Sequence, residues 1–145
     1  MTGEDLYFGC GNQAICCDTT VGRVGLLICY DLRFPELSRM LAAAGAQFIF
    51  VSAQWPEQRI SHWDTLLKAR AIENQVVVIA SNRLGSDRGG GYCGHSQIIS
   101  PSGHILGFAG AEDTIAEAEI DLSEMDHIRS VMPVLKERRP DVYTA

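Results

Sequence analysis

Three short apolar runs constrain this chain more than any other feature: VGLLIC at 24–29, QFIFVSA at 47–53 and QVVVIAS at 75–81. Each is nearly continuously apolar, as a strand covered on both faces should be. Two segments with helical spacing separate them. FPELSRMLAAAGA at 34–46 opens on Pro35, which suits a first helical turn, and closes on Gly45, which suits a stop. Leu37, Met40, Leu41 and Ala44 would share its apolar face. The second helix starts from Ser61 as N-cap and runs through HWDTLLKARAIEN, with Trp63, Leu66, Leu67 and Arg70 on one face. An earlier strand, QAICC at 13–17, joins the first buried strand, 21–29, through a turn around DTT.

Beyond residue 81 the pattern changes. GSDRGGGYCG reads as a glycine-heavy loop. Its glycines are not spaced for a phosphate-binding strand–turn–helix, and no helix follows, so a nucleotide loop is rejected. SQIIS, HILGFAG and TIAEAEID read as a meander with a tight turn at Pro101-Ser102-Gly103. TIAEAEID alternates apolar and acidic residues, as a half-exposed strand does. Ser123 would cap a short helix, EMDHIRSV, and the polar tail KERRPDVYTA would lie over another element. No repeat, low-complexity segment or linker interrupts the 145 residues, which read as one domain, α/β in the first two thirds and then antiparallel β.

A formal net charge of −6 argues against nucleic acid as a partner, since phosphate binding needs a basic face. No apolar run approaches a membrane span, and the N-terminal residues show no secretory signal. The cysteines are Cys10, Cys16, Cys17, Cys29 and Cys93, an odd number with one adjacent pair and no C-x-x-C. That is not a disulfide framework, and the expected compartment is a reducing cytoplasm.

The buried strands end in polar clusters: Cys29-Tyr30-Asp31, Gln54-Trp55 and Ser81-Asn82-Arg83. In open α/β sheets ligands sit at the carboxyl ends of strands, so these tips suggest one pocket. A thiol at such a tip can attack a carbonyl or nitrile carbon, and the backbone N–H of Tyr30 can receive the developing oxyanion. Alternatively, Cys29 is a small buried residue with no reactivity. Cys93 and His95 would need two more ligands to hold a metal, and none is evident; no metal or cofactor is expected. His62, His104 and His127 are not tied to Cys29 by spacing. Glu73 and Asn74 read as local capping and pairing residues. Arg33 and Arg83 could each clamp a substrate carboxylate, or pair with Glu36 and Asp87 respectively.

GLLICYDLRFPELSR, followed by WDTLLKARAIENQ, ASNRLGSD and GHSQIISPSGHIL, resembles the nitrilase superfamily of carbon–nitrogen hydrolases over nearly the whole chain, most of all its omega-amidase branch. The resemblance implies an α-β-β-α sandwich, of which this chain would be the C-terminal half, and homo-oligomers formed sheet to sheet or helix to helix. It implies hydrolysis of a small dicarboxylate monoamide by a cysteine nucleophile through a thioester, with release of ammonia. Carried over, Cys29 is the nucleophile, Tyr30 supplies an oxyanion N–H, and Glu4 matches a second, substrate-positioning glutamate. Gln54 and Trp55 line the pocket, with Asn82 and Arg83 on the next strand tip.

The resemblance also places the general-base glutamate and the catalytic lysine upstream of Met1. Lys68 and Lys136 match neither. The isolated chain is therefore expected to be weak or inactive, since acid–base help is worth roughly 10²–10⁴ in rate. It is also expected to expose an edge and an apolar face that favour association. A non-catalytic interaction module, another branch of the superfamily and a thiol–disulfide enzyme remain as alternatives.

Overall fold

Val, Ile, Leu and Phe fill the three apolar runs, and in the computed structural model, which describes residues 6–143, they form the centre of one sheet. Strands β1 (Cys16–Thr19), β2 (Gly22–Ile28), β3 (Phe48–Ala53), β4 (Val77–Asn82), β7 (Ser96–Ile99) and β8 (Ile105–Ala109) lie in the order β1-β2-β3-β4-β7-β8. β2, β3 and β4 are parallel, in a register that pairs Leu26 with Phe50 and Phe50 with Ile79. β1, β7 and β8 run antiparallel to their neighbours. The α/β architecture expected from the alternation is the one observed.

Helices α1 (Pro35–Ala43) and α2 (Ile60–Asn74) pack on one face of the sheet. The core there joins Leu27, Ile49, Val51, Val78, Ala80 and Ile99 of the strands to Leu41, Trp63, Leu67 and Ala71 of the helices. Gly25 makes this approach possible: a Cβ there would lie 2.9 Å from a methyl of Leu41. The α1 face is rotated from the one expected. Ser38, Leu41 and Ala42 are buried, whereas Met40 and Ala44 are exposed. α1 stops before Gly45, which has a φ of 93°.

Several elements differ from expectation. Residues 13–15 are not part of β1, and Cys29 lies beyond β2, in a 3₁₀ turn over Cys29–Arg33. Ser61 does not cap α2, because a 3₁₀ turn at Glu57–Arg59 feeds the helix one residue earlier. The glycine-heavy loop is a hairpin, β5 (Leu84–Asp87) and β6 (Gly90–Cys93). Glycine's low strand propensity masked it. The turn at 101–103 forms as expected, with Gly103 N–H donating to Ser100 O at 2.9 Å and a φ of 86° at Gly103. TIAEAEID forms no strand. It crosses the sheet face opposite the helices as a strap, with Ala116, Ala118 and Ile120 against Val24, Phe48, Val77 and Ile98. Helix α3 (Leu122–Val131) is capped by the Asp121 carboxylate, which accepts from Ser123 N–H at 2.8 Å, so Ser123 is the capped residue and not the cap. Ahead of the tail, Leu135 reaches the core, and the Gln75 amide donates to Met132 O at 2.7 Å; the tail itself brings Arg138 and Tyr143 beside Pro35, Glu36 and Arg39 of α1. It ends in the short α4 (Pro140–Tyr143).

The strap covers only the starts of β2–β4. Toward the strand tips Leu26 stays 56 % exposed, Ile28 68 % and Phe50 36 %, so the parallel strands are dry on one side only.

Candidate active site

The parallel strands carry their tips to the same end of the sheet, and the polar clusters meet there. Cys29 is half-buried, packs against the main core and has a φ of 43°. A non-glycine residue in the left-handed region is strained by about 1–3 kcal/mol and persists only where its surroundings hold it. Here the hold is local. Asp31 Oδ2 accepts from Ile28 N–H at 2.9 Å, and Phe34 N–H donates to Asp31 O at 3.0 Å, closing the turn. The result is a sharp strand-to-helix elbow with the thiol at its start.

Tyr30 is exposed, edge-on to Phe34 with 5.4 Å between ring centroids. Arg33 lies against two aromatic faces, 4.6 Å from the Trp55 centroid and 5.8 Å from that of Tyr30. It does not pair with Glu36. Among the described residues its guanidinium makes no hydrogen bond or ion pair, so its N–H edge is open to an anion.

Arg83 is placed differently. It is ion-paired and hydrogen-bonded to Asp87 and stacks 4.6 Å from the Tyr92 centroid. The hydrogen bond from Arg83, with that from Gly89 N–H, holds the Asp87 carboxyl below the usual carboxylate range. Gln54 joins this cluster, donating to Tyr92 OH at 2.6 Å and to Asp87 at 3.2 Å. The hairpin is thereby tied to the β3 tip.

Trp55 is buried, with its indole N–H donating to Arg59 O at 2.8 Å. Asn82 is buried beside it. Its carbonyl accepts from Trp55 N–H at 2.6 Å, and its amide donates to Gly94 O at 2.6 Å and Trp55 O at 3.3 Å. Asn82 thus ties the β3 tip to the segment between β6 and β7. Glu4 lies outside the described residues.

Cys93 and His95, weighed in the sequence only as metal ligands, have other surroundings here. His95, at a φ of 60°, places Nδ1 3.2 Å from both oxygens of Asp64, linking the residue before β7 to α2. Cys93 is pushed above the usual thiol range, mainly by burial and then by the Glu57 charge, which keeps it protonated. Among the described residues no group of three or more His, Cys, Asp or Glu could hold a metal, and no helix is long and apolar enough to cross a membrane. Glu73 and Asn74 act locally, as expected: Arg70 pairs with Glu73 at 2.9 Å, and the Asn74 amide donates to Arg70 O.

A carbon-nitrogen hydrolase family profile matches residues 3–130. The chain belongs to the carbon-nitrogen hydrolase family. It is 44 % identical over 143 residues to the 2-oxoglutaramate amidase of Bacillus subtilis (strain 168), a match covering 99 % of this chain and 55 % of that protein. It is 40 % identical to the omega-amidase NIT2 of Mus musculus, over 88 % of this chain and 47 % of that one. The fold superimposes on a crystal structure of a carbon-nitrogen hydrolase from Helicobacter pylori G27 with a TM-score of 0.88 and 30 % identity, covering 97 % of this chain and 54 % of that one. The chain spans about half the length of the relatives it matches, and its elbow at Cys29 lies within the matched region.

Proposed function

We propose that the chain carries the nucleophile-bearing half of an amidase that hydrolyses small dicarboxylate monoamides, 2-oxoglutaramate being the type suggested by the similar proteins. The observation that carries this reading is the left-handed bend at Cys29 on the β2 tip. The Cys29 thiolate adds to the amide carbon, and the carbonyl oxygen takes the charge, stabilised by Tyr30 N–H. The tetrahedral intermediate collapses, the C–N bond breaks, and the nitrogen leaves as ammonia after gaining a proton. Water then attacks the thioester, releasing the acid and restoring the thiol. The proton transfers need a carboxyl group that acts as base and then acid. Glu4 helps to position the substrate, and that acid–base group is supplied by the half of the similar amidases that this chain does not match.

Arg33 receives the distal carboxylate. Its N–H edge is open, whereas Arg83 is occupied by Asp87 and shapes the pocket through the hairpin with Gln54. The uncovered sheet face around Leu26, Ile28 and Phe50 takes the complementing half. That same face favours a second reading, a binding module built on a hydrolase scaffold.

The test is ammonia release from 2-oxoglutaramate by the chain alone, by its Cys29→Ser variant, and by each mixed with the unmatched remainder of the Bacillus subtilis amidase. Turnover that appears on mixing and vanishes with Cys29→Ser is the expected result. No turnover in any mixture would favour the binding module. In the active mixture, Arg33→Gln should raise KM about tenfold or more for 2-oxoglutaramate and leave an amide without a distal carboxylate unaffected.

A further inference from the structure

Asp31 closes the turn that carries Cys29, but that closure does not fix where the turn sits against the helices. Helix α2 supplies a second hold. Arg70 is buried on α2, 38 residues from Leu32 in sequence. Its Nε and Nη2 donate to Leu32 O at 3.1 and 2.9 Å. Leu32 is itself fully buried, and it lies in the 3₁₀ turn that starts at Cys29. The residue three positions on, where a continued 3₁₀ turn would find a donor, is Pro35, which has no N–H. Arg70 takes the place of that donor.

A guanidinium is costly to bury, and a buried one needs its charge and its N–H groups answered. Here Nη1 pairs with Glu73 at 2.9 Å, and the amide of buried Asn74 donates to the same carboxylate oxygen at 3.3 Å. Two N–H groups of one planar fork on one carbonyl fix that carbonyl in direction as well as in distance. The peptide unit so fixed joins Leu32 to Arg33. Three residues before Leu32 stands the left-handed bend at Cys29. Directly after it Arg33 lies 4.6 Å from the Trp55 centroid. One buried side chain therefore governs the placement of both the thiol and the guanidinium that receives the distal carboxylate.

We propose that Arg70 is a positioning residue for hydrolysis, setting the spacing between Cys29 and Arg33 by anchoring the Leu32–Arg33 peptide to α2. The proposal rests on the roles given to Cys29 and Arg33 in the hydrolytic reading, while the anchor itself is measurable without turnover.

The experiment compares the parent chain with Arg70→Lys, which keeps a charge for Glu73 and loses the two-pronged grip. Its first arm is NMR of the chain alone. In the parent, Arg70 Nε–H should exchange with water roughly tenfold or more slowly than that of exposed Arg139. In the folded variant, the upfield shift that the Trp55 ring gives the Arg33 Cδ protons should fall by half or more, while Val78 and Ile99 in the core keep their parent shifts. The second arm is the active mixture with the unmatched remainder of the Bacillus subtilis amidase. There Arg70→Lys should raise KM for 2-oxoglutaramate about fivefold or more and leave KM unchanged for an amide without a distal carboxylate. An arginine that only stabilises the fold would lower kcat alike for both substrates and move neither KM. That outcome would overturn the proposal, as would Arg33 signals unchanged in the folded variant. Where Arg70→Lys fails to fold, the parent decides: Arg70 Nε–H exchange as fast as that of Arg139 would overturn it. A mixture inactive with the parent chain would overturn the hydrolytic reading, and the catalytic consequence of the anchor with it, even where the first arm finds the anchor.

Discussion

Both ends of the Asn82 amide are engaged by backbone groups of two other segments, at Trp55 and Gly94. The sequence reading placed Asn82 in the pocket by its position on a strand tip, and position alone does not say which way an amide is used. Asn82→Ala should leave Trp55 N–H and Gly94 O without partners in a buried setting, a loss of about 2–4 kcal/mol. Urea unfolding measures this, and a change under about 0.5 kcal/mol would mean that water replaces the amide. Asp87 makes a pH-dependent counterpart. Its folded pKa is depressed, chiefly by the Arg83 hydrogen bond, so the hairpin anchor is complete above the ordinary carboxylate range. The anchor is lost as pH falls through the lower folded value. Carbon-13 titration of Asp87 should show a midpoint below the ordinary range that rises in Arg83→Gln. An identical midpoint in the two proteins would remove Arg83 as the cause.

The strap at 114–121 shows what alternation can and cannot specify. Ala116, Ala118 and Ile120 face the sheet, as a period of two requires, while Ile115, out of phase with them, is exposed, and no partner strand hydrogen-bonds to the segment. Periodicity fixes which side chains turn inward and is silent on pairing. Gly107 on β8 lets the strap lie this close, since a Cβ there would sit 2.8 Å from Glu117 O. Gly107→Val should lift the strap, bare Val24, Phe48 and Val77, and raise binding of a hydrophobic dye such as ANS. Unchanged dye binding would mean that the backbone shifts instead. The central strands, the helices α1 and α2 and the tight turn at 101–103 were legible because each rests on local pattern. The stacking of Arg33 on Trp55 was not, because it depends on how two strand tips meet in space. The hairpin was hidden by its own glycines, and the elbow at Cys29 by a backbone angle that no residue type announces.

Across the whole molecule the sheet is dressed unevenly, with helices on one side and a strap over half of the other. Leu26 and Ile28 lie on a central strand, where a parallel sheet is ordinarily covered on both faces. If that face is uncovered in the isolated chain, the double variant Leu26→Lys, Ile28→Lys should change unfolding free energy by no more than about 0.5 kcal/mol per site. If the chain covered the face by some rearrangement, two buried lysines would cost several times that amount, or prevent folding. Association separates the cases further. The parent chain should self-associate with rising concentration in sedimentation equilibrium, because a contiguous apolar patch is removed from water by pairing. The lysine variant should remain monomeric and fail to combine with the unmatched remainder of the Bacillus subtilis amidase. A variant that is monomeric yet still combines would place the complementing surface elsewhere, at the free edge of β1 or β8, where unpaired backbone groups offer a ladder in place of an apolar face.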